Sequence, residues 1–324
     1  MWIYPPGGRD IAAFCGDRVG ASKNTSRSQP NKAIGLRGRM KPPPFEYCAP
    51  RSLKDAVELL AADPSAMVLA GGQSLIPALN MRFAAPSRLI DIQHVEGLEG
   101  VVIEGGNIIV RAMTRHRELE LNDEVFRANP LIRETMAHVA HVPIRNRGTV
   151  VGSLCHADAA AEMPSILLVT DGSVVTESPR GRREIPAADF FQFHMTTSRE
   201  PDEIVVEAHF PVLPQGAGWA FEEFTRRHGD YAIAAVAAIV TRAGATDVVS
   251  LSACGVASRP IRLTVCEQIF AAQGFTDASF KAAGEAAKEY VTAPDDIHAT
   301  NDYRRDLLAS LVVRAVEKAL TRSR

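Results

Sequence analysis

Cysteine is scarce in this chain of 324 residues, and its distribution excludes several kinds of site. The five cysteines are Cys15, Cys48, Cys155, Cys254 and Cys266, and no two of them form a CxxC pair. An iron–sulfur cluster ordinarily needs four closely arranged thiolates, so we do not expect one in this chain. Scattered cysteines in odd number fit a reduced, intracellular setting. If the protein exchanges electrons with such a cluster, another chain must hold it.

The sequence also lacks an excess of charge of one sign and any long apolar run. Lys and Arg total 36 against 38 Asp and Glu, a formal net charge of -2, so no global field attracts nucleic acid or anionic lipid. No apolar run approaches the roughly 20 residues of a membrane-spanning helix. The beginning of the chain has no apolar core of a secretory signal. We therefore expect a cytoplasmic protein with no nucleic-acid partner and no membrane span.

Composition divides the chain into an extension and a folded part. Residues 1–39 are rich in Gly, Ser, Asn and Arg without apolar periodicity, which predicts a flexible N-terminal extension. A targeting peptide and a wrongly assumed translation start are alternatives for this segment, although Asp10 and Asp17 count against the first. Prolines and glycines between Pro211 and Gly218 predict a domain boundary, which gives residues 40–215 and 216–324 as the two domains.

The apolar pattern predicts a mixture of helices and strands. Ser52 and Asp55 resemble a helix N-terminal cap, and Gly105-Gly106 separates two strands of a predicted hairpin, Val101–Glu104 and Asn107–Ala112. Further strands are predicted at Met67–Ala70, Arg88–Ile92, Val174–Val175, Ile204–Val206, Tyr231–Val240 and Val248–Val256, and further helices at Pro130–His141, Pro164–Leu168 and Asp306–Leu320. This mixture predicts an α+β fold.

The first candidate ligand site is the loop that follows the strand at Met67. It reads Leu69-Ala70-Gly71-Gly72-Gln73-Ser74-Leu75, and its two glycines allow backbone amides to approach a phosphate closely. Ser74 adds a hydroxyl donor. The segment is not GxGxxG and no Walker lysine follows, so a classical dinucleotide fold or P-loop is not indicated. Taken alone, the pattern also fits an ordinary turn.

The second candidate runs from Arg147 to Glu162. Thr149 and Ser153 offer hydroxyls, Gly152 permits close backbone approach, and Asp158 or Glu162 could accept hydrogen bonds from a ribose. A metal site at His156 and the carboxylates is an alternative. A lone histidine near acids is more often structural, so we assign no metal ligand.

Together, the two segments resemble the flavin-binding stretches of the medium subunits of the carbon monoxide dehydrogenase and xanthine dehydrogenase family, the molybdenum hydroxylases. The first stretch is Ala70 to Leu75 followed by Leu89-Ile90-Asp91-Ile92. The second is Thr149 to Ser153 running into His156-Ala157-Asp158 and Glu162-Met163-Pro164. The order and separation also agree, and the resemblance extends from about Met40 to the C-terminus. It is specific for the family and uninformative about substrate.

The resemblance implies a vanillyl-alcohol-oxidase-like (PCMH-type) FAD-binding domain of two subdomains, about 40–95 and 96–215, followed by a C-terminal α+β domain of the carbon monoxide dehydrogenase flavoprotein type. FAD would be bound noncovalently. The two loops would wrap the diphosphate, Asp91 and Glu162 would lie near the adenosine, and Tyr231 would cover the isoalloxazine, with a core tyrosine as the alternative. The implied cofactor-binding residues are Leu69, Ala70, Gly71, Gly72, Gln73, Ser74, Leu75, Asp91, Thr149, Val150, Val151, Gly152, Ser153, Asp158, Glu162, Val205 and Tyr231.

One position departs from the family pattern. Relatives usually have a glycine pair in the second stretch, where this chain has Val151-Gly152. The valine side chain either points away from the phosphate or weakens binding. We expect FAD to bind because the first loop and the adenosine contacts are intact.

The resemblance also implies partners and a role. A molybdopterin large subunit would oxidise the substrate, an iron–sulfur small subunit with 2Fe-2S clusters would carry electrons, and the flavin would pass them to an external acceptor, in a dimer of heterotrimers. We assign no catalytic acid, base or nucleophile to this chain and treat His141, His156 and His228 as structural. The alternatives are a free-standing FAD-dependent oxidase or reductase and a cofactor-free assembly subunit.

Overall fold

A small parallel sheet opens the fold. The computed structural model describes residues 41–243 and 246–324, so the extension predicted at residues 1–39 lies outside the described residues. The first elements are β1 (Glu46–Cys48), α1 (Leu53–Ala62), β2 (Met67–Leu69), α2 (Leu75–Asn80) and β3 (Arg88–Asp91). The strands are parallel in the order β1-β3-β2, and Leu69 pairs with Asp91. The loop after β2 and the end of β3 therefore emerge side by side at one edge of the sheet.

A five-stranded antiparallel sheet and a series of short helices follow. The elements are β4 (Val101–Glu104), β5 (Asn107–Arg111), α3 (His116–Leu121), α4 (Asp123–Ala128), α5 (Pro130–Met136), α6 (Val142–Arg145), α7 (Val150–His156), α8 (Glu162–Val169), β6 (Ser173–Ser178), β7 (Gly181–Pro186), α9 (Ala187–Phe190), β8 (Phe191–Phe193), β9 (Thr196–Thr197) and β10 (Ile204–Pro211). The sheet order is β4-β5-β10-β6-β7, and β8 and β9 form a separate hairpin. Gly105 and Gly106 have φ of 59° and 79°, which suits the two-residue turn of the predicted β4–β5 hairpin.

The C-terminal part is a four-stranded antiparallel sheet covered by helices. Its elements are β11 (Gly218–Phe224), β12 (Ala234–Ala243), β13 (Thr246–Cys254), β14 (Ile261–Arg262), α10 (Thr264–Gln273), α11 (Asp277–Tyr290) and α12 (Asn301–Arg322). Helix α12 buries a stripe that includes Leu308, Leu311, Val312, Ala315 and Ala319. None of the helices in the described ranges is both long enough and apolar enough to cross a bilayer.

Strand β12 is buried on both faces and joins the two parts of the core. Because successive side chains of a strand point to opposite faces, Ala235, Ala237 and Ile239 belong to the core shared with the first two sheets. Val236 and Val240 belong to the core beneath the C-terminal helices. Burial on both faces explains why the sequence of β12 is an almost continuous run of small apolar residues. The strand also positions the preceding loop, which carries Tyr231, against the first part of the chain.

Several predicted elements have different limits in the structure. The helix predicted over Pro130–His141 ends at Met136, and Ala140 has a left-handed φ of 45°. The strand predicted from Tyr231 begins only at Ala234, after a turn. Helix α12 begins at Asn301 because Thr300 caps it by accepting from the backbone N–H of Tyr303. The sequence pattern does not predict the helices α2, α3, α4, α6, α7, α9, α10 and α11.

Candidate functional site

The two segments singled out in the sequence meet in the structure. A Cβ atom placed on Gly71 would lie 2.5 Å from the carbonyl oxygen of Arg147, 2.7 Å from Cα of Gly148 and 2.9 Å from the amide nitrogen of Thr149. Real side chains do not tolerate contacts this close. The loop after β2 and the segment before α7 are therefore in direct backbone contact, which requires glycine at position 71.

A cleft of about 480 Å³ lies beside this contact. It is lined by Leu69, Ala70, Gly71, Gly72, Gln73, Ile76, Pro77, Asn80, Asp91, Gln93 and Arg147. Six of the predicted cofactor-binding residues, Leu69 to Gln73 and Asp91, thus form its walls. The cleft is open, and its lining combines apolar side chains with polar and charged ones, which suits a ligand that has both rings and phosphates.

A second cleft, of about 450 Å³, lies beside the β6–β7 turn and contains several arginines. These cations are already neutralised, since Arg180 pairs with Asp202 and Arg183 with Glu203. It therefore offers no strong attraction for an anion, and we place the site at the cleft beside Gly71.

The first loop is a tight bend that leads directly into α2. Gly72 has a positive φ of 70°, and Gln73 folds back so that its Nε2 donates to the carbonyl oxygen of Gly71 at 3.2 Å. Ser74 stands before α2 without capping it through its side chain. Its hydroxyl is therefore not engaged by the helix that it precedes.

The second segment is a helix start, where the sequence predicted a loop. Thr149 is the N-cap of α7, and its Oγ1 accepts a hydrogen bond from the backbone N–H of Gly152 at 3.1 Å. A Cβ on Gly152 would lie 2.5 Å from that oxygen, so glycine there protects the cap. The buried ring of His116 lies beneath Gly148, and burial lowers the pKa of His116 to about 4, so the ring is neutral.

The valine that departs from the family pattern points away from the cleft. Val151 is 2% exposed and Val150 is fully buried, and both pack in the main hydrophobic core. Of the two alternatives raised by the sequence, the structure favours a side chain directed inward. Val205 is likewise buried, just before a bulge where β10 shifts register against β6. These three residues can reach a ligand only through their backbone atoms.

Asp91 is held in a fixed orientation at the end of β3. Its Oδ2 accepts a hydrogen bond from the Tyr47 hydroxyl at 2.7 Å, and its Oδ1 accepts from the backbone N–H of Gln93 at 2.9 Å. The hydrogen bond to this carboxylate raises the pKa of Tyr47. Sequence reasoning missed Tyr47, because only the pairing of β1 with β3 brings it beside Asp91.

Tyr231 lies near three other predicted cofactor-binding residues, Ser74, Asp158 and Glu162. Its side chain is 53% exposed. Burial of the hydroxyl group raises the pKa of Tyr231, and the carboxyl groups of Asp158 and Glu162 raise this pKa further. A hydrogen bond with the Ser74 hydroxyl partly offsets the rise. Just before it, Gly229 lies against the ring of His141, where a Cβ would stand 2.7 Å away. The loop that carries Tyr231 therefore packs directly against the segment that leads into α6.

Glu162, which the family resemblance places near the adenosine, is a buried residue in the structure. It is 4% exposed at the start of α8, and burial together with the nearby Glu223 raises the pKa of Glu162 to about 8. Its carboxyl group is therefore protonated at neutral pH. Glu223 is itself buried and pairs with Nδ1 of His138 at 2.7 Å. Asp158 is also largely buried, and its Oδ1 accepts from the backbone N–H of Ala160.

Residues 43–213 match the family described as "FAD binding domain in molybdopterin dehydrogenase", and residues 219–319 match the "CO dehydrogenase flavoprotein C-terminal domain". The chain is 40% identical over 288 residues to the 6-hydroxypseudooxynicotine dehydrogenase complex subunit alpha of Paenarthrobacter nicotinovorans, covering 88% of this chain and 97% of that one. It is 34% identical over 285 residues to the carbon monoxide dehydrogenase medium chain of Hydrogenophaga pseudoflava, covering 87% and 99%.

Solved structures agree with these relatives. Carbon monoxide dehydrogenase from Hydrogenophaga pseudoflava, in a form that lacks the Mo-pyranopterin moiety of its cofactor, is similar with a TM-score of 0.85 and 34% identity, covering 87% of this chain and 99% of that chain. Quinoline 2-oxidoreductase from Pseudomonas putida 86 is similar with a TM-score of 0.82 and 34% identity, covering 87% and 98%. The predicted resemblance and the predicted fold class are confirmed.

Proposed function

The chain belongs to the FAD-binding medium subunits of the molybdenum hydroxylase family, and we propose that it is the subunit through which electrons leave such a complex. Electrons would arrive from an iron–sulfur small subunit and pass to an external acceptor. FAD supplies the redox chemistry, because a flavin exchanges electrons singly or in pairs. This chain's own residues bind and orient the cofactor, and none of them is assigned as acid, base or nucleophile.

The backbone contact of Gly71 with Arg147, Gly148 and Thr149 is the observation that carries this proposal. It brings together two bends whose amides can surround a diphosphate, beside a cleft large enough for part of a dinucleotide. The residues present therefore fit FAD. We propose that the bends at Gly71–Leu75 and Thr149–Ser153 hold the diphosphate, that Asp91 lies on the adenosine side, and that Tyr231 covers the isoalloxazine.

Glu162, Asp158 and Val205 stay predicted cofactor contacts, with a constraint that the structure adds. Each is at most 8% exposed, so contact with FAD would need either backbone atoms or a small local opening. Ser74 is better supported, because its hydroxyl is near Tyr231 and its helix does not use it.

The domain division at residues 40–215 and 216–324 is also proposed. The limits of three sheets support this division: the second sheet spans Val101–Pro211 and the third begins at Gly218. The first sheet ends at Asp91, which supports a further subdivision of the first domain near residue 95.

The partners proposed are a molybdopterin large subunit and an iron–sulfur small subunit carrying 2Fe-2S clusters, in a dimer of heterotrimers. The names of the relatives support a multisubunit assembly, since they include "medium chain" and "complex subunit alpha". The scattered cysteines support a separate cluster-bearing chain. A cytoplasmic location stays a prediction from the sequence.

The test is to purify the full chain from its own organism through a tag and to analyse what accompanies it. We expect about one acid-releasable FAD per chain, together with molybdenum and iron. Removing FAD should leave substrate able to reduce the iron–sulfur centres while electron delivery to an external dye is lost. Colourless protein that cannot be reconstituted with FAD would refute the proposal, as would substrate oxidation by this chain alone without molybdenum or iron.

A further inference from the structure

Within the part of the chain that the structure describes, one cationic side chain lines the cleft beside Gly71. Among the residues that line it, only Asp91 and Arg147 carry a charge at neutral pH. A dinucleotide diphosphate brings about two negative charges, and a carboxylate alone would repel it. The chain as a whole has a formal charge of -2, so no general field compensates. Arg147 is therefore the cation best placed, among the residues that line the cleft, to offset the repulsion by Asp91.

The backbone of Arg147 is fixed, so its side chain starts from a defined place. The carbonyl oxygen of Arg147 accepts a hydrogen bond from Nη1 of Arg115 and lies against Gly71. Its backbone N–H donates to the carbonyl oxygen of Ile144 at 3.1 Å. With the main chain held on both sides, the exposed side chain is the part of Arg147 that can move towards a ligand in the cleft that this residue lines.

The side chains of the neighbouring Arg145 and Arg117 form ion pairs, whereas among the described residues the Arg147 side chain forms none. Arg145 is buried, pairs with Glu120 and donates to the carbonyl oxygens of Val139 and Ala140. Arg117 also pairs with Glu120. Arg147 is exposed, and across residues 41–243 and 246–324 no carboxylate forms an ion pair with it.

We propose that Arg147 binds the diphosphate of FAD directly, so that a cation as well as backbone amides sets the affinity of this subunit for its cofactor. The inference rests on the proposed function of the site. A guanidinium can donate two parallel hydrogen bonds to phosphate oxygens, which makes the contact directional as well as electrostatic. Binding should then be sensitive to ionic strength in a way that neutral amides alone would not produce.

The experiment measures FAD affinity of the full apoprotein by quenching of flavin fluorescence, between about 50 and 500 mM NaCl. We expect salt to weaken binding to the natural protein. Arg147→Gln should raise Kd by about tenfold or more at low salt, the range expected for a charge-assisted hydrogen bond, and should abolish or reverse the salt effect. ADP, which shares the diphosphate, should lose affinity by a similar factor in competition with FAD.

Arg127→Gln is the matched control, since it removes the same charge from an exposed position on α4, outside the cleft. It should bind FAD as the natural protein does. An Arg147→Gln protein that melts normally and binds FAD within about twofold of the natural protein would overturn the inference while leaving the proposed function intact. If the Arg147→Gln variant does not fold, the salt dependence of the natural protein tests the inference by itself. An FAD affinity that does not fall as the salt concentration rises would also overturn the inference. Failure of the natural protein to bind FAD would instead refute the proposed function.

Discussion

The Tyr47 hydroxyl donates a 2.7 Å hydrogen bond to Oδ2 of Asp91, across two parallel strands. With Gln93 N–H bound to Oδ1, both carboxylate oxygens have a protein partner that fixes their direction. We expect Tyr47→Phe to lower FAD affinity by about two- to tenfold, because the net worth of one hydrogen bond is of that order. Titration with FAD checks this. Tyr290→Phe, which alters a similarly exposed tyrosine on α11, is the control and should change nothing.

Gly71→Ala should separate the two segments that form the site. Its new methyl group would overlap the main chain of Arg147 and Gly148, which cannot rotate away as a side chain can. We expect loss of FAD binding by more than about tenfold and a lower melting temperature, since overpacking of this kind costs about 1–3 kcal/mol. Gly284→Ala, in the middle of α11 with its nearest contact at 3.3 Å, should retain FAD. Normal FAD content in Gly71→Ala would contradict the close contact.

Thr149 is expected to act through its hydroxyl, as the cap of α7. Thr149→Val keeps the shape but removes the acceptor of the Gly152 N–H, and should cost about 1 kcal/mol of unfolding free energy together with part of the FAD affinity. Thr149→Ser keeps the oxygen and should stay close to the natural protein in both measurements. Urea titration measures the unfolding free energy, and a separate assay measures the FAD content. If the Val and Ser variants are equal in both, the Thr149 hydroxyl does not stabilise α7 as a cap.

Features that depend on local chemistry could be predicted from the sequence. The cap at Ser52, the Gly105-Gly106 turn and the strand that ends before Gly71 each follow from a few adjacent residues. The contact between the two glycine-bearing segments followed only from the family resemblance. Nothing local in either segment indicates that the other is its neighbour.

Features that depend on packing between distant segments could not be predicted. Tyr47 reaches Asp91 only through the strand order, 44 residues away in sequence. Helix α7 was read as a loop because it is short and contains two β-branched residues and a glycine, all weak helix formers. The raised pKa of Glu162 could not be predicted either, because it comes from burial and from Glu223, which β11 supplies from the C-terminal part of the chain.

The buried carboxyl group of Glu162 should make the apoprotein less stable as pH rises. Its pKa is about 8 in the folded chain, against an ordinary value of 4.5 that we expect when unfolded. Between these values the unfolded chain has released the proton and the folded chain retains it. The unfolded state thus binds fewer protons, and stability falls with increasing pH by up to about 1.4 kcal/mol per unit across this window.

Glu162→Gln removes this dependence, because the amide remains neutral in both states. We expect the variant and the natural apoprotein to be similar in unfolding free energy near pH 5, and the variant to gain steadily up to about pH 8, where the difference levels off. Urea titrations at several pH values measure this, with Glu289→Gln on the exposed face of α11 as a control that should show no such gain. A difference between Glu162→Gln and the natural protein that stays constant over the whole range would mean that Glu162 is ionised in the folded chain. An ionised Glu162 beside Glu223 would then have to be balanced by a cation, and its carboxylate could act only as an acceptor of hydrogen bonds, as the sequence first suggested for contact with a ribose.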